Sequence, residues 1–358
     1  MSFLGLLPEK FLGIDIGTSS IKMVELSSWA GRKKLENYGE ISASVLYKKP
    51  FRTADKSSLI LSDKDIARAI KAVTEEAGIK SKHVAFSIPD FSTFFTTFEL
   101  PAMSLEEVPQ AVRAEARRHV PLPLGEVALD WQIIQPIRSK TEKIKILLVT
   151  VPNEVINQYK RIAASLGFKL LALEAEVFGL IRASLETTEK GTVSLIDIGA
   201  RSTTCSIIDN GALRISHSFD ISGNNLTERV SKGLTVEYEA ARVLRNKYGI
   251  LSTEGGVKES NIKEILIPLV DIIIGEIDGV FKKYNTTEGK SIEKIILCGG
   301  TAFLPGLLEY FQDHFPKKEV GISDPFSKIF FSPILDQTLQ NLGPSYAIAL
   351  GMALRGFE

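Results

Sequence analysis

The sequence is short of the residues that build disulfide frameworks and metal centres. Its 358 residues include two cysteines and four histidines. Cys205 and Cys298 both lie in apolar, strand-like segments, where cysteine behaves as a small buried hydrophobic residue. The four histidines lack the spacing of metal ligands: His83, His119, His217 and His314. The composition therefore argues against a disulfide scaffold and against a histidine-based metal site, and it indicates a reducing compartment.

An excess of charge and a long hydrophobic run are also missing. Forty-three basic residues balance 43 acidic ones, and no polybasic block breaks that balance, so nucleic acid is not a favoured partner. The most apolar stretch, residues 262–281, carries charged residues along its length, whereas a spanning helix needs about 20 mostly apolar residues. The opening MSFLGLLPEK has no basic segment, and its apolar run is too short for a signal peptide. We expect a soluble, cytoplasmic protein.

The sequence does contain one motif twice. The motif is apolar-Asp-apolar-Gly followed by hydroxyl residues, in GIDIGTSS at residues 13–20 and in LIDIGARSTT at 195–204. In each copy, two short strands rich in Ile and Val flank the glycine turn, and a third strand and further α/β elements follow. The repeated plan predicts an internal duplication, with two similar lobes around a cleft. The length of the chain agrees with about two domains.

The first copy has the chemistry of an anion-binding turn. Asp15 ends a strand, and its carboxylate is suited to a hydrated Mg²⁺ rather than to a phosphate, because two anions repel. The turn supplies a glycine, hydroxyls, backbone N–H groups and a nearby cation, which together form a nest for phosphate. These candidates are Gly17, Thr18, Ser19, Ser20 and Lys22. For one copy alone, a plain hairpin with a turn aspartate is an equally good interpretation.

The second copy offers Asp197, Gly199, Ser202, Thr203 and Thr204 in the same roles. Two such hairpins facing each other would hold a polyphosphate from both lobes, and the bound ligand would favour a closed state.

A third element follows later in the chain. Gly299, Gly300 and Thr301 join a strand to a helix. Paired glycines let an adenine ring or an α-phosphate lie on the backbone, and a helix N-terminus favours the anion. Alone, this sequence is more often a plain strand-to-helix turn than a ligand site, but its place after two Asp-x-Gly hairpins strengthens the nucleotide-site hypothesis.

Residues 91–150 interrupt the first half with a different pattern. FSTFFTTFEL (91–100) alternates as a strand, and Ser104 and Glu107 form a capping box before a helix. Strands at 127–137 and 143–152 complete a predicted β-α-β-β module. Phe95 is expected on the outer face of the first of these strands.

The three motifs, in this order, resemble the phosphate-1, phosphate-2 and adenosine motifs of the actin, hexokinase and heat-shock-chaperone ATPase superfamily. LEAEVFGLIRA (173–183) and SYAIALGMALRG (345–356) resemble its two interlobe helices. The inserted module resembles the one found in FtsA-like proteins and in the PilM family of type IV pilus assembly proteins. Residues 99–134 and the segment SIKMVELS resemble the PilM family specifically, and the resemblance covers essentially the whole chain.

This resemblance implies an α/β, actin-like duplicated two-lobe fold with ribonuclease-H-like lobes and an inserted β-α-β-β subdomain. The first lobe would span residues 1–192, with the insert at 91–150. The second would span 193–358, with a mostly helical subdomain at about 220–291.

The resemblance also implies ATP and Mg²⁺ as ligands, with Asp15 and Asp197 as catalytic and metal-binding residues. In the sugar-binding helix the superfamily often has an acidic residue three positions before a basic one. This sequence has Arg242 and Arg245 instead, so Glu239 and Arg245 become the candidate contacts to the nucleoside. Glu176 could position the attacking water, or it could simply cap a helix. Without a clear base, hydrolysis is expected to be slow.

The implied partners are the cytoplasmic N-terminal segment of a PilN-like inner-membrane protein and other pilus inner-membrane assembly proteins. The implied location is cytoplasmic and peripheral to the inner membrane through those partners, with no direct insertion. An FtsA-like division or filament protein is the alternative within the superfamily, and a small-molecule kinase is a more distant one. We expect the partner site on the inserted module, along the strands at 91–98 and 127–137. An exposed strand edge has unpaired backbone groups, so proteins either cover it or use it to bind an extended peptide.

Overall fold

The computed structural model describes residues 9–43, 62–135, 142–251 and 257–358. The sequence predicts a third strand at residues 33–47 and a polar turn at 138–142; residues 44–47 and 138–141 lie outside these ranges. Within them the chain divides into two compact units. The first unit comprises residues 1–179, 211–216 and 348–358, and the second comprises residues 180–210 and 217–347. The lobe boundaries predicted from the sequence, 1–192 and 193–358, stay predictions.

The first unit has a five-stranded sheet in the order β3-β2-β1-β4-β8. Its strands are β1 (Glu9–Ile16), β2 (Ser20–Trp29), β3 (Arg32–Ser42), β4 (His83–Ile88) and β8 (Lys169–Ala175). The strands β1, β4 and β8 are parallel, while β2 runs antiparallel to both β1 and β3. The carboxyl ends of β1, β4 and β8 therefore lie at one edge of the sheet.

Helices α1 (Asp63–Glu76) and α3 (Asn153–Ser165) pack on this sheet and share its core. Helix α1 buries Ile66, Ala69, Ile70 and Val73, which recur at helical spacing on one face. From the sequence, Asp63 is the expected cap of this helix. That prediction is wrong by one residue, because the N-cap is Ser62, whose hydroxyl accepts a hydrogen bond from the Asp65 amide.

The inserted module is a three-stranded sheet in the order β5-β7-β6 with one helix against it. Its elements are β5 (Phe94–Leu100), α2 (Val108–His119), β6 (Val127–Ile133) and β7 (Ile144–Pro152). One face of the sheet and α2 form a separate core in which Phe98 stacks on His119. The β-α-β-β insert is therefore confirmed. Its first strand begins at Phe94 instead of Phe91, because residues 90–92 form a 3₁₀ turn that is closed by bonds to the Pro89 carbonyl.

A second five-stranded sheet repeats the first, in the order β11-β10-β9-β12-β13. Its strands are β9 (Thr192–Ile198), β10 (Thr203–Asp209), β11 (Ala212–Phe219), β12 (Lys294–Cys298) and β13 (Glu319–Ile322). Strands β9 and β10 form an antiparallel hairpin, and β12 is parallel to both β9 and β13. The duplication predicted from the two glycine motifs is confirmed strand by strand.

The remaining helices follow from hydrophobic patterning. They are α4 (Glu176–Ser184), α5 (Gly223–Leu234), α6 (Tyr238–Tyr248), α7 (Val257–Glu288), α8 (Leu307–His314) and α9 (Asp336–Arg355). The apolar but charge-containing stretch at residues 262–281 predicts a buried helix, and in the structure it is part of α7. There Val270, Ile273 and Ile277 are buried while Asp271 and Glu276 are exposed. In α9, the small residues let the helix backbone lie directly on β1, where Gly13 has no room for a side chain.

Candidate functional site

The first glycine hairpin joins β1 to β2. The Gly17 amide donates to the Ser20 carbonyl over 2.9 Å, which closes the turn and leaves Thr18 and Ser19 half-buried at its tip. The Ser19 carbonyl accepts from the Ala43 amide at 2.8 Å, so the tip is held by the end of β3.

Asp15 lies at the end of β1 and is 7% exposed. The Ser87 hydroxyl, on the neighbouring strand β4, donates to Asp15 Oδ1 at 2.6 Å. Lys22 is the cross-strand partner of Asp15 on β2, but its ammonium donates to the Ser20 hydroxyl at 2.7 Å and lies 3.4 Å from Glu40. The turn therefore presents an oriented carboxylate, hydroxyls and a cation that is partly neutralised.

Glu176 begins α4, directly after β8. Its Oε2 accepts from the Asp90 amide at 3.3 Å, and Asp90 Oδ1 accepts in return from the Val177 amide at 3.2 Å. This reciprocal pair fixes the start of α4 to the turn after β4. Asp15 and Glu176 lie at the same sheet edge with β4 between them, which is a separation of about 10 Å from strand spacing. The bonds to Asp90 favour the helix-capping interpretation of Glu176, and a catalytic role stays a prediction.

The second hairpin closes in the same way as the first. The Gly199 amide donates to the Ser202 carbonyl at 3.0 Å. Thr203 is buried and its hydroxyl donates to the Ile221 carbonyl at 2.6 Å, while the Thr204 and Ser218 hydroxyls lie 2.8 Å apart. Two of the predicted hydroxyls thus brace the strand, while Ser202 lies half-buried in the turn and its ligand role stays a prediction.

The Gly299-Gly300-Thr301 segment follows β12, next to the end of β9. Gly299 has φ +85°, and a Cβ there would run into the Asp197 carboxylate and come within 2.7 Å of the Ile198 carbonyl. A Cβ at Gly300 would meet nothing within 4 Å, so the backbone of this residue borders open space. The Thr301 amide donates to the Ile198 carbonyl at 3.2 Å, which ties this turn to β9. The glycines therefore bring a bare stretch of backbone beside Asp197.

Arg245, on α6, is 8% exposed and completes this group. Its guanidinium donates to the Gly223 carbonyl and to Asn246 Oδ1. Burial lowers the pKa of Arg245, against a smaller raising effect from Tyr238 and with a further small lowering from Arg242. An arginine remains charged even so, and it is thus a buried cation within the second unit.

Gly223, the first residue of α5, is the point at which these pieces meet. A Cβ there would lie 2.5 Å from the Thr301 hydroxyl, 3.1 Å from the Arg245 guanidinium and 3.3 Å from the Gly199 carbonyl. The Gly223 amide donates to the Gly199 carbonyl at 3.0 Å, and the Asn224 amide donates to the Ala200 carbonyl at 2.9 Å. Sequence reasoning missed Gly223 and Asn224. The sequence feature that could have identified them is the Ser-Gly pair at the start of a helix. Such a pair predicts a helix N-terminus, but it does not by itself indicate a ligand.

Two positions remain, the predicted contact Glu239 and Arg201 of the second turn. Glu239 is exposed and pairs with Arg242 at 2.8 Å. It stands six residues before Arg245 on α6, which places it on another face of the helix. Arg201, in the second turn, is half-exposed and forms no ion pair within the described ranges.

The inserted module borders a groove. A cavity of about 270 Å³ lies between the outer face of its sheet and the elements β8 and α4. Its apolar lining includes Leu147, Val149, Val151, Leu173 and Phe178, and its polar lining includes Asp130, Gln132 and Glu174. The Phe95 ring is half-buried and lies 6.3 Å from that of Phe178.

A preformed metal site is not present in the described part of the chain, where no three His, Cys, Asp or Glu side chains cluster as ligands. In the same part, no helix is both long and apolar enough to cross a membrane.

Comparison with known proteins places these features in context. A family model described as type IV pilus assembly protein PilM matches residues 13–357. The cell division protein FtsA of Staphylococcus epidermidis is 21% identical over 379 residues, which cover 94% of this chain and 79% of that protein. Among solved structures, the PilM-PilN type IV pilus biogenesis complex has a TM-score of 0.84 at 22% identity and covers 98% of this chain and 100% of the matched one. MreB5 of Spiroplasma citri bound to ADP has a TM-score of 0.53 at 12% identity and covers 98% and 96%. The shared fold is the actin-like, duplicated α/β fold.

Proposed function

The chain belongs to the type IV pilus assembly protein PilM family, whose model spans nearly all of it, and we propose that it binds Mg²⁺-ATP and the cytoplasmic N-terminal segment of a PilN-like inner-membrane protein. Nucleotide state would then be coupled to assembly of the pilus machine.

The nucleotide proposal is supported above all by the convergence at Gly223. The Gly199 carbonyl of the second turn, the buried Arg245 guanidinium and the buried Thr301 hydroxyl lie around it within one unit, and Thr301 directly follows the Gly299-Gly300 pair. Backbone N–H groups, a cation and open space beside glycines are what a nucleoside phosphate needs. A structure of similar fold, MreB5 of Spiroplasma citri, was solved with ADP bound.

Asp15 and Asp197 are the proposed contacts to the metal. Two carboxylates are too few to hold Mg²⁺ alone, and this ion usually keeps several waters and takes its other oxygens from the substrate phosphates. The proposal therefore makes metal and nucleotide binding interdependent. Bound Mg²⁺ would supply charge neutralisation for the phosphates, while Ser87 orients the Asp15 carboxylate.

The test is calorimetric titration of ATP, with Mg²⁺ and with EDTA, into the parent chain and into Asp15→Ala and Asp197→Ala. Each substitution should weaken Mg²⁺-ATP binding roughly tenfold or more, because metal-mediated charge stabilisation amounts to several kcal/mol. Asp209→Ala is the matched control: Asp209 is a buried strand-end aspartate that pairs with Lys290 at 2.7 Å, at the opposite end of β10. The Asp209→Ala variant should have a lower free energy of unfolding and keep the parent's affinity for Mg²⁺-ATP. Parent-like affinity in both test variants would refute the metal assignment.

The peptide proposal is supported by the groove beside the insert. Strand β8 is an edge of the five-stranded sheet and β6 is an edge of the insert sheet, and both border the cavity. An extended peptide can bond to such an edge and place alternate side chains in the apolar lining. The solved structure with the TM-score of 0.84 is that of a PilM-PilN complex.

Leu147→Asp and Val149→Asp should weaken binding of a PilN-like N-terminal peptide at least tenfold, because each puts a carboxylate into the apolar lining. Affinity for Mg²⁺-ATP should stay near the parent value. Ile272→Asp, an exposed apolar residue of α7 in the second unit, is the control and should leave both affinities unchanged. Peptide binding that survives both groove substitutions would place the partner site elsewhere.

A further inference from the structure

The amino-end edge of the first sheet differs in charge from the rest of the chain. This edge is formed by the starts of β1, β3, β4 and β8 and by the end of β2. Seven basic side chains lie on these strand ends or in the loop 80–82: Lys10, Arg32, Lys33, Lys34, Lys80, Lys82 and Lys169. The same segments carry three carboxylates, Glu9, Glu36 and the buried Glu25. In a chain of zero net charge, this edge is a local positive patch.

One carboxylate of the patch, Glu36, is already neutralised by neighbouring cations. Glu36 accepts hydrogen bonds from Lys10 at 3.0 Å, Lys34 at 3.1 Å and Ser27 at 2.8 Å. Burial acts to raise the pKa of Glu36, but these bonds outweigh it and hold the pKa at about 2. In the described residues, the exposed cations Arg32, Lys80 and Lys169 have no ion-pair partner.

The patch is rigid and broad. The loop before β4 is fixed to the sheet by amides of Lys80 and Ser81, which donate to the buried Glu25 carboxylate at 2.9 and 2.6 Å. The Lys169 amide donates to the Lys82 carbonyl at 2.7 Å, which joins β8 to the same edge. Five strands at a spacing of about 4.8 Å spread the charges over roughly 19 Å.

An exposed tryptophan stands at one end of the patch. Trp29 is 63% exposed at the tip of the β2–β3 hairpin, opposite Arg32. The turn between them is Ala30-Gly31, with φ +49° and +81°, a tight two-residue hairpin turn that fixes the tip. Tryptophan flanked by cations is typical of side chains that sit at the water–lipid interface.

We propose that this basic edge, with Trp29 at its tip, is a docking surface for an anionic phospholipid membrane. Two features favour lipid over an acidic protein segment: the charges are spread over a wide edge instead of lining a groove, and the aromatic residue projects from a rigid tip. Basic clusters attract anionic lipid surfaces with a strength that grows with each cation and falls with salt. The inference does not depend on a peptide in the groove or on a bound nucleotide.

Sedimentation of the full chain with vesicles tests the proposal. Vesicles of phosphatidylcholine with about 30% phosphatidylglycerol should bind the chain, and pure phosphatidylcholine should not. The triple variant Arg32→Gln/Lys80→Gln/Lys169→Gln should bind the anionic vesicles roughly 100-fold more weakly, from about fivefold per cation near the surface. The matched control, Arg229→Gln/Lys282→Gln/Lys317→Gln, removes three exposed cations of the second unit and should bind as the parent does.

A spectroscopic arm locates the contact. The chain has two tryptophans, so Trp131→Phe leaves Trp29 as the reporter. Its emission should shift to shorter wavelength with anionic vesicles alone, and the shift should disappear in the triple variant. An unchanged emission, equal binding by the two triple variants, or equal binding to both vesicle types would overturn the proposal. Binding to poly-glutamate without binding to anionic vesicles would also overturn it, and would assign the edge to an acidic protein.

Discussion

The two glycine hairpins share a backbone turn and differ in what lies beside it. In both, a glycine amide closes the turn onto a serine carbonyl three residues later, at 2.9 Å in the first and 3.0 Å in the second. Beside the first aspartate, strand β4 supplies the Ser87 hydroxyl. Beside the second, the residue of β12 in register with Asp197 is the buried Cys298, and the strand is followed by Gly299, which has no side chain.

Under the proposed function, this difference would give one repeated unit two roles. In the first unit, the neighbouring strand supplies a hydroxyl that orients the carboxylate for the proposed metal contact. In the second, the buried Cys298 takes that position and two glycines follow it, so that the backbone of Gly300 borders open space, and Arg245 and Thr301 lie around Gly223. The sheet topology is the same in both, and the residues at the end of the neighbouring strand and just after it decide the local chemistry.

The largest loss of stability should come from a substitution of Gly299, and its neighbour Gly300 is the matched control. Gly299→Ala forces a side chain into the left-handed region, at about 1–2 kcal/mol, and drives its Cβ into Asp197 and the Ile198 carbonyl. We expect a loss of about 3 kcal/mol or more in the free energy of unfolding of the second unit. Gly300→Ala should change that stability by less than about 0.5 kcal/mol, because its Cβ meets nothing within 4 Å. Urea unfolding measures both.

Gly300→Val tests the same turn through nucleotide binding. This variant should fold normally and lose affinity for ADP as well as for ATP, because its side chain occupies the open space beside the backbone. A variant that lost ATP and kept ADP would place the Gly-Gly turn away from the adenosine end of the nucleotide.

The sequence predicted the hairpins well because their determinants are local. Asp, Gly and hydroxyl residues at fixed spacing between apolar strands specify the turn, and the structure has it twice. What surrounds each turn depends on residues far away in the chain, such as Ser87 for Asp15 and Gly223 for Gly199. Such contacts depend on how strands and helices pack, which spacing along one segment does not reveal. Glu176 is a similar case, since its partner Asp90 lies on a different turn.

An intermediate effect should distinguish the two aspartate environments. Ser87→Ala removes a 2.6 Å hydrogen bond to a buried carboxylate, and bonds to charged groups contribute about 1.5–3 kcal/mol. Thr204→Val, in the second hairpin, removes a bond of 2.8 Å between two neutral hydroxyls, at about 0.5–1.5 kcal/mol. Urea unfolding should therefore show the larger loss for Ser87→Ala. Equal losses would mean that the Asp15 carboxylate is satisfied without Ser87.

The smallest effect, on ATP affinity, should come from substitutions of the two cations of the turns, Lys22 and Arg201. Lys22 is held by the Ser20 hydroxyl and by Glu40, so part of its charge is already compensated, whereas Arg201 forms no ion pair within the described residues. Lys22→Met should then change ATP affinity by about twofold or less. Arg201→Gln should reduce ATP affinity about three- to fivefold at low salt, which corresponds to the energy of up to about 1 kcal/mol of an exposed charge pair.

High salt should erase the Arg201 effect, since screening is nearly complete beyond a few ångströms at 1 M. AMP, which lacks the β- and γ-phosphates, should bind both variants as it binds the parent. If Lys22→Met proved the more damaging change, the first hairpin would carry the phosphate contact, and the division of roles between the two turns would have to be reversed.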